Sequence, residues 1–177
     1  NGGFGRKEIF PISDIDISIV EKNKSNNFKN LEEFISNLWD QGYKVGHSVR
    51  SISDIKKISK KDIREFTSYL TRRPIISTNE MDNKINYALS KLLSKKNLFN
   101  AKFIEQQPRH SKFFSTAFNL EPDLKESPGG LRDFQSALWI LQHCFDLRTT
   151  GEISKSKIFN GELNDALDAY NFIKSLR

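Results

Sequence analysis

Gly2-Gly3-Phe4-Gly5-Arg6-Lys7-Glu8-Ile9-Phe10-Pro11-Ile12-Ser13-Asp14-Ile15-Asp16 opens the chain and decides how the rest of it is read. Residues 15–20 (IDISIV) have the apolar, β-branched character of a buried strand, entered through a turn around Pro11 and Ser13. Side chains two apart on a strand share a face, so Asp14 and Asp16 project together while Ile15 and Ile17 turn toward a core. Two carboxylates at the entrance of a rigid strand suit Mg²⁺, which favours a few carboxylates together with phosphate oxygens and water. Ions held this way stabilise the attacking and leaving oxygens of an in-line displacement at phosphorus. The glycines at 2, 3 and 5 read as a phosphate-binding turn, because glycine lets backbone amides converge on an anion. Arg6 adds a candidate bidentate contact to the same anion.

Outward from this stretch, residues 21–27 form a polar loop. Leu31, Phe34, Ile35, Leu38 and Trp39 recur at helical spacing, with Gly42 placed to end the helix. Tyr43, Val45, His47 and Val49 alternate with polar residues as a second strand. His47 in that alternation reads as a partly buried, hydrogen-bonded histidine rather than a ligand. A short helix over 55–58 with Ser53 as cap follows, whereas 62–70 fits helix and strand equally. Pro74 precedes a short extended piece at Ile75 and Ile76. Met81, Ile85, Ala88, Leu89 and Leu92 mark a helix with Asn79 as cap, and Pro108 interrupts the next segment. The turn Pro128-Gly129-Gly130 leads into a long helix marked by Phe134, Ala137, Leu138, Leu141 and Phe145, and Leu163 to Leu176 supplies another. The order points to an α+β unit over 1–98 followed by an all-helical unit over 99–177.

Composition narrows the field. Hydrophobic residues are 37% and charged residues 28% of 177, a globular balance. No apolar run approaches the roughly 20 residues that span a bilayer. Cys144 is the single cysteine, so no disulfide closes within the chain and a cytoplasmic setting is expected. The net charge of +6 suits a polyanionic ligand, but the lysines are scattered and not interleaved with aromatics, which argues against a nucleic-acid surface.

Gly-Gly-x-Gly-Arg-x-Glu followed by Ser-Asp-x-Asp resembles the nucleotidyltransferase signature of the DNA polymerase β superfamily in its bacterial PII-uridylyltransferase form. The stretch Leu38-Trp39-Asp40-Gln41-Gly42-Tyr43-Lys44-Val45-Gly46-His47-Ser48-Val49-Arg50 is similar to the helix and strand that follow the metal strand in that family. Asn119-Leu120-Glu121-Pro122-Asp123-Leu124-Lys125-Glu126-Ser127-Pro128-Gly129-Gly130-Leu131-Arg132-Asp133 resembles its turn into a helical domain. The resemblance implies a small polymerase-β-like sheet with helices, and transfer of UMP from UTP to a tyrosine of a PII protein with Mg²⁺ as cofactor. It assigns Asp14 and Asp16 to the metal, Gly2, Gly3, Arg6 and Ser13 to the triphosphate, and Asp62 as a possible third carboxylate. Glu8 suits a bracing ion pair. Glu121, Lys125, Arg132 and Asp133 fit equally a scaffold of caps and pairs or a lining of the nucleotide cleft. The family has further structure upstream of the glycines, and a His-Asp metal domain and ligand-sensing domains downstream. No His-Asp dipeptide occurs here, so the sequence is expected to be a front-half piece. A non-catalytic domain that binds nucleotide or a partner on the same scaffold is the alternative reading.

Overall fold

Residues Gly2–Arg6 coil into a one-turn helix, α1, where an open glycine turn was expected. The Gly5 amide donates to the Asn1 carbonyl at 2.9 Å, and Lys7 takes a left-handed conformation (φ 61°) that ends the turn. The computed structural model describes residues 1–10, 13–21, 29–116, 120–145, 147, 150–156 and 162–177. Pro11, the loop at 22–27 and Asn119 from the motifs above lie outside these residues.

Strand β1 (Ile15–Glu21) pairs in parallel with β2 (Val45–Ser51), Asp16 opposite Gly46 and Ser18 opposite Ser48. Parallel neighbours need a crossover, supplied by α2 (Lys29–Asp40). Gly42 ends α2 in a left-handed conformation (φ 84°), with its amide on the Trp39 carbonyl. Trp39 then ties helix to strand: its Nε1 donates to the Val45 carbonyl at 3.1 Å, and its ring lies 6.0 Å from that of His47. His47 is accordingly exposed beside Trp39 rather than half-buried as expected.

The opposite face of the two strands carries Asp16, Ser18, Ser48 and Arg50. Helix α3 (Ile52–Lys61) leads away from it, capped by Ser51 and not by Ser53. β2 runs on to Ser51, whose side chain accepts from the Asp54 amide while Asp54 accepts from the Ser51 amide, a capping box. The ambiguous segment is a helix, α4 (Ile63–Leu70), with Phe66, Thr67 and Tyr69 buried. Tyr69 reaches the sheet, its hydroxyl 2.9 Å from Ser18 Oγ. Arg50 donates to Glu65 at 2.5 Å, and this bond holds the guanidinium above its ordinary pKa. Ile75 and Ile76 form a bend rather than an extended piece, Ile76 being 97% exposed with no strand beside it. Helix α5 (Asn79–Ser90) begins one residue after its cap, Thr78, so Asn79 is already helical. Ile35, Ile55, Phe66, Tyr69, Ile85 and Leu89 are the buried centre of this first unit, Asn1–Leu93.

The second unit, Ser94–Arg177, starts at the Ser94 cap of α6 (Lys95–Ser111). A boundary at 98/99 would fall inside that helix. Pro108 costs α6 one intrahelical bond without ending it, and Arg109 and His110 continue the turn. Helices α7 (Leu131–Phe145), α8 (Thr150–Lys155) and α9 (Glu162–Leu176) follow. The rings of Phe134 and Tyr170 stack at 4.0 Å, and Leu138, Leu141 and Ile153 form a buried cluster. Every element described in this unit is helical, and no described helix is long and apolar enough to cross a membrane. The fold of the described residues is α+β, with a two-stranded parallel sheet.

Ser51→Ala is expected to lower the stability of the protein by about 1 kcal/mol, the usual effect of losing a serine cap, and Ser53→Ala by less. Urea unfolding of the two variants checks this order.

Candidate active site

The first unit brings α1, the start of β1 and Gly46 of β2 together around one carboxylate. Asp14 stands just before β1 and Asp16 within it; both are exposed, and Ile15 between them is half-buried. Asp16 is fitted closely. A methyl group on Gly2 would lie 2.6 Å from Asp16 Oδ2, and one on Gly46 would lie 3.2 Å from Oδ1. Gly2 also takes φ +57°, which glycine adopts at little cost. The carboxylate is therefore flanked by two positions with no side chain, one on a helix and one on the neighbouring strand. The Asn1 nitrogen lies 2.8 Å from the Asp16 carbonyl oxygen, so the start of α1 meets the strand at this residue.

Arg6 and Glu8 form an ion pair at 2.9 Å with both side chains largely buried, the bracing role open to Glu8. Ser13 Oγ accepts from the Phe10 amide at 3.0 Å, which shapes the turn into β1 and leaves its hydroxyl proton available for donation. Gly3 is the acceptor that closes α1, taking the Glu8 amide at 2.8 Å. Asp62 caps α4: it accepts from the Arg64 amide at 2.8 Å and from the Arg64 guanidinium, which holds its carboxyl below the usual range. Among the described residues, no group of three or more His, Cys, Asp or Glu side chains is placed to hold a metal. Asp14 and Asp16 are exposed oxygen donors of the type Mg²⁺ takes, an ion that draws most of its remaining oxygens from phosphate and water. Gly46 is the residue that sequence reasoning missed. Its signal was the small pair Gly46 and Ser48 on alternate positions of β2, which becomes informative only once the register against β1 is known.

In the second unit the Glu121, Lys125, Arg132 and Asp133 cluster divides. Asp133, in the first turn of α7, accepts from the Gly129 amide at 2.8 Å, from Gln106 at 3.0 Å and from Arg109, and it faces His110 Nε2 at 2.9 Å. Burial alone would raise the Asp133 pKa, but Arg109 first, then Gln106, the Gly129 amide and His110, outweigh it and hold the carboxyl below its ordinary value. Arg132 instead pairs with Glu126 at 3.1 Å, and the Lys125 amide donates to Asp123. Glu121 is exposed. Nearby Lys102 is buried, pairs with Glu105, and lies 4.5 Å over the Trp139 ring. Asp133 thus ties α6 to the turn before α7, a scaffolding role signalled in sequence only by the acidic residue in a first helical turn. Because the folded pKa of Asp133 is depressed, its stabilisation is present above the ordinary value of 3.8 and is lost as pH falls through the lower folded value. Asp133→Asn is expected to flatten the fall in stability with acid below about pH 4; an unchanged acid limb in pH-dependent urea unfolding would contradict this.

Residues 97–177 match the family model described as GlnD PII-uridylyltransferase. The bifunctional uridylyltransferase/uridylyl-removing enzyme of Aliivibrio fischeri (strain MJ11) is 34% identical over 181 residues, covering 99% of this chain and 21% of that protein. The enzyme of the same description from Haemophilus influenzae (strain PittEE) is 39% identical over 88% of this chain and 18% of its own length. That from Nitrosospira multiformis is 34% identical over 87% of this chain and 18% of its own length. No solved structure gives a significant match. The chain spans about a fifth of the length of these curated relatives. It is a homologue, along almost its whole length, of the bifunctional uridylyltransferase/uridylyl-removing enzymes.

Proposed function

We propose that the first unit is the nucleotidyltransferase centre of a polymerase-β-like scaffold, which moves UMP from UTP to a tyrosine of a PII signal protein in the cytoplasm. The observation that carries this reading is Asp16, exposed and packed against the backbone of Gly2 and Gly46, with Asp14 exposed two residues before it in the chain. The glycines let the backbone close on this carboxylate, and its exposure leaves it accessible to a metal carrying a polyphosphate. The kinship to enzymes named as uridylyltransferases supports the choice of UTP.

In this reading Asp14 and Asp16 hold Mg²⁺, which when bound neutralises triphosphate charge and polarises the α-phosphate. Gly2 and Gly3 let the polyphosphate approach the α1 backbone, and Ser13 offers its hydroxyl proton. Arg6, with its Nε on Glu8, has its terminal nitrogens to offer. The tyrosine oxygen attacks the α-phosphorus, the bond to the bridging oxygen of the β-phosphate breaks, pyrophosphate leaves, and the phenolic proton is released. Positioning and electrostatics account for most of the rate in such a transfer.

Asp14→Asn and Asp16→Asn in the full-length protein are each expected to reduce transfer of labelled UMP from UTP to a PII protein by about a hundredfold or more, as loss of a charge-stabilising group does. Chelation of Mg²⁺ is expected to abolish it. Transfer at wild-type rate by the double variant would overturn the proposal.

A further inference from the structure

The segment that follows α4 is drawn against α1. A methyl group on Gly5 would lie 2.3 Å from the Thr71 carbonyl oxygen and 3.6 Å from Arg72 Cα, so only glycine admits this approach. Two arginines leave the segment in different directions. Arg72 is committed to α5 and its own helix, donating to Asn86 Oδ1 at 2.7 Å and to the Tyr69 carbonyl at 3.0 Å. Arg73 instead lays its guanidinium 4.5 Å over the Phe4 ring of α1. Pro74 disfavours a helical conformation at Arg73, which ends α4 before it and releases its side chain toward α1. Arg73 forms no ion pair among the described residues, and its Nε is buried without a hydrogen-bond partner there. Arg6, the other arginine of this corner, is paired with Glu8 through its Nε alone.

Phe4 lies between Gly2, which borders Asp16, and Gly5, which borders Thr71. Arg73 and Asp16 therefore attach to the same single turn of helix. A guanidinium lying on an aromatic ring has one face covered and its N–H edge open, an orientation suited to phosphate.

We propose that Arg73, held on the Phe4 ring, is a polyphosphate-binding residue of the Asp14/Asp16 site. The inference rests on the nucleotidyltransferase reading above. It adds a cation from outside the glycine stretch, presented by the segment after α4 and positioned by Phe4 and Gly5. Arg73 adds positive charge on the same helical turn that borders Asp16, where it would meet the triphosphate of a bound nucleotide.

The test measures Mg²⁺-dependent binding of UTP, inorganic tripolyphosphate and UMP to the full-length protein, for wild type, Arg73→Gln and Arg73→Lys, with thermal unfolding to confirm that each is folded. Arg73→Gln is expected to weaken UTP and tripolyphosphate about tenfold or more, the scale of a lost charge-assisted hydrogen bond, and to change UMP less than twofold. Arg73→Lys keeps the charge but loses the fork, and is expected to fall between Gln and wild type. Phe4→Leu leaves Arg73 in the sequence but removes its platform, and is expected to weaken tripolyphosphate in the same direction. UTP and tripolyphosphate affinities within twofold of wild type in folded Arg73→Gln, or equal losses for UMP and UTP, would overturn the role of Arg73 while leaving the Asp14/Asp16 site standing. Failure of the wild-type protein to bind UTP with Mg²⁺ would remove both.

Discussion

The parallel register that sets Asp16 opposite Gly46 is the constraint on which the candidate site depends. It puts a residue without a side chain beside the Asp16 carboxylate on the sheet, and α1 supplies a second one from the other direction. A slip by one residue would exchange the faces of β2, bringing Val45 or His47 to that place and burying the carboxylate against bulk. Register in turn is held from both faces. Trp39 ties α2 to β2 on one side, and the Ser18–Tyr69 and Arg50–Glu65 contacts tie α4 to the strands on the other.

The two units use charge in different ways. In the first, the carboxylates at the head of β1 are exposed, and α1 touches Asp16 only through backbone and glycine. In the second, Asp133 and Lys102 are drawn inside and provided with partners, because a charge taken out of water without them is strongly destabilising. Asp133 is surrounded by Arg109, His110, Gln106 and a backbone amide, the saturation expected of a structural carboxylate. Asp16 is instead exposed at the head of its strand, where an external ligand can approach.

The strands, α2 and the helix after Gly130 were legible because their patterns are local: alternation over 15–20, a 3.6-residue stripe ended by Gly42, and a proline-glycine turn before an apolar stripe. What escaped was set by neighbours in space. Ser51 rather than Ser53 caps α3 because β2 runs further than its apolar alternation. The segment at 62–70 is helical with Phe66 and Tyr69 buried, Tyr69 reaching Ser18 on the sheet. Pro108 is absorbed because Asp133 holds the residues that follow it. The pairing of Asp16 with Gly46, and the approach of Arg73 to Phe4, join residues about 30 and 70 positions apart, and only the folded chain reveals them. Asp62 carries the opposite lesson: its carboxyl is engaged as a helix cap, a use that its sequence position left open.

The central claim is that Asp14 and Asp16 hold a divalent metal together with a nucleoside triphosphate. Electron paramagnetic resonance of Mn²⁺ titrated into the full-length protein with a non-hydrolysable UTP analogue tests it most directly. The account requires Mn²⁺ to be taken up with the analogue by the wild-type protein and left in solution by Asp16→Asn; equal uptake by Asp14→Asn/Asp16→Asn would contradict it.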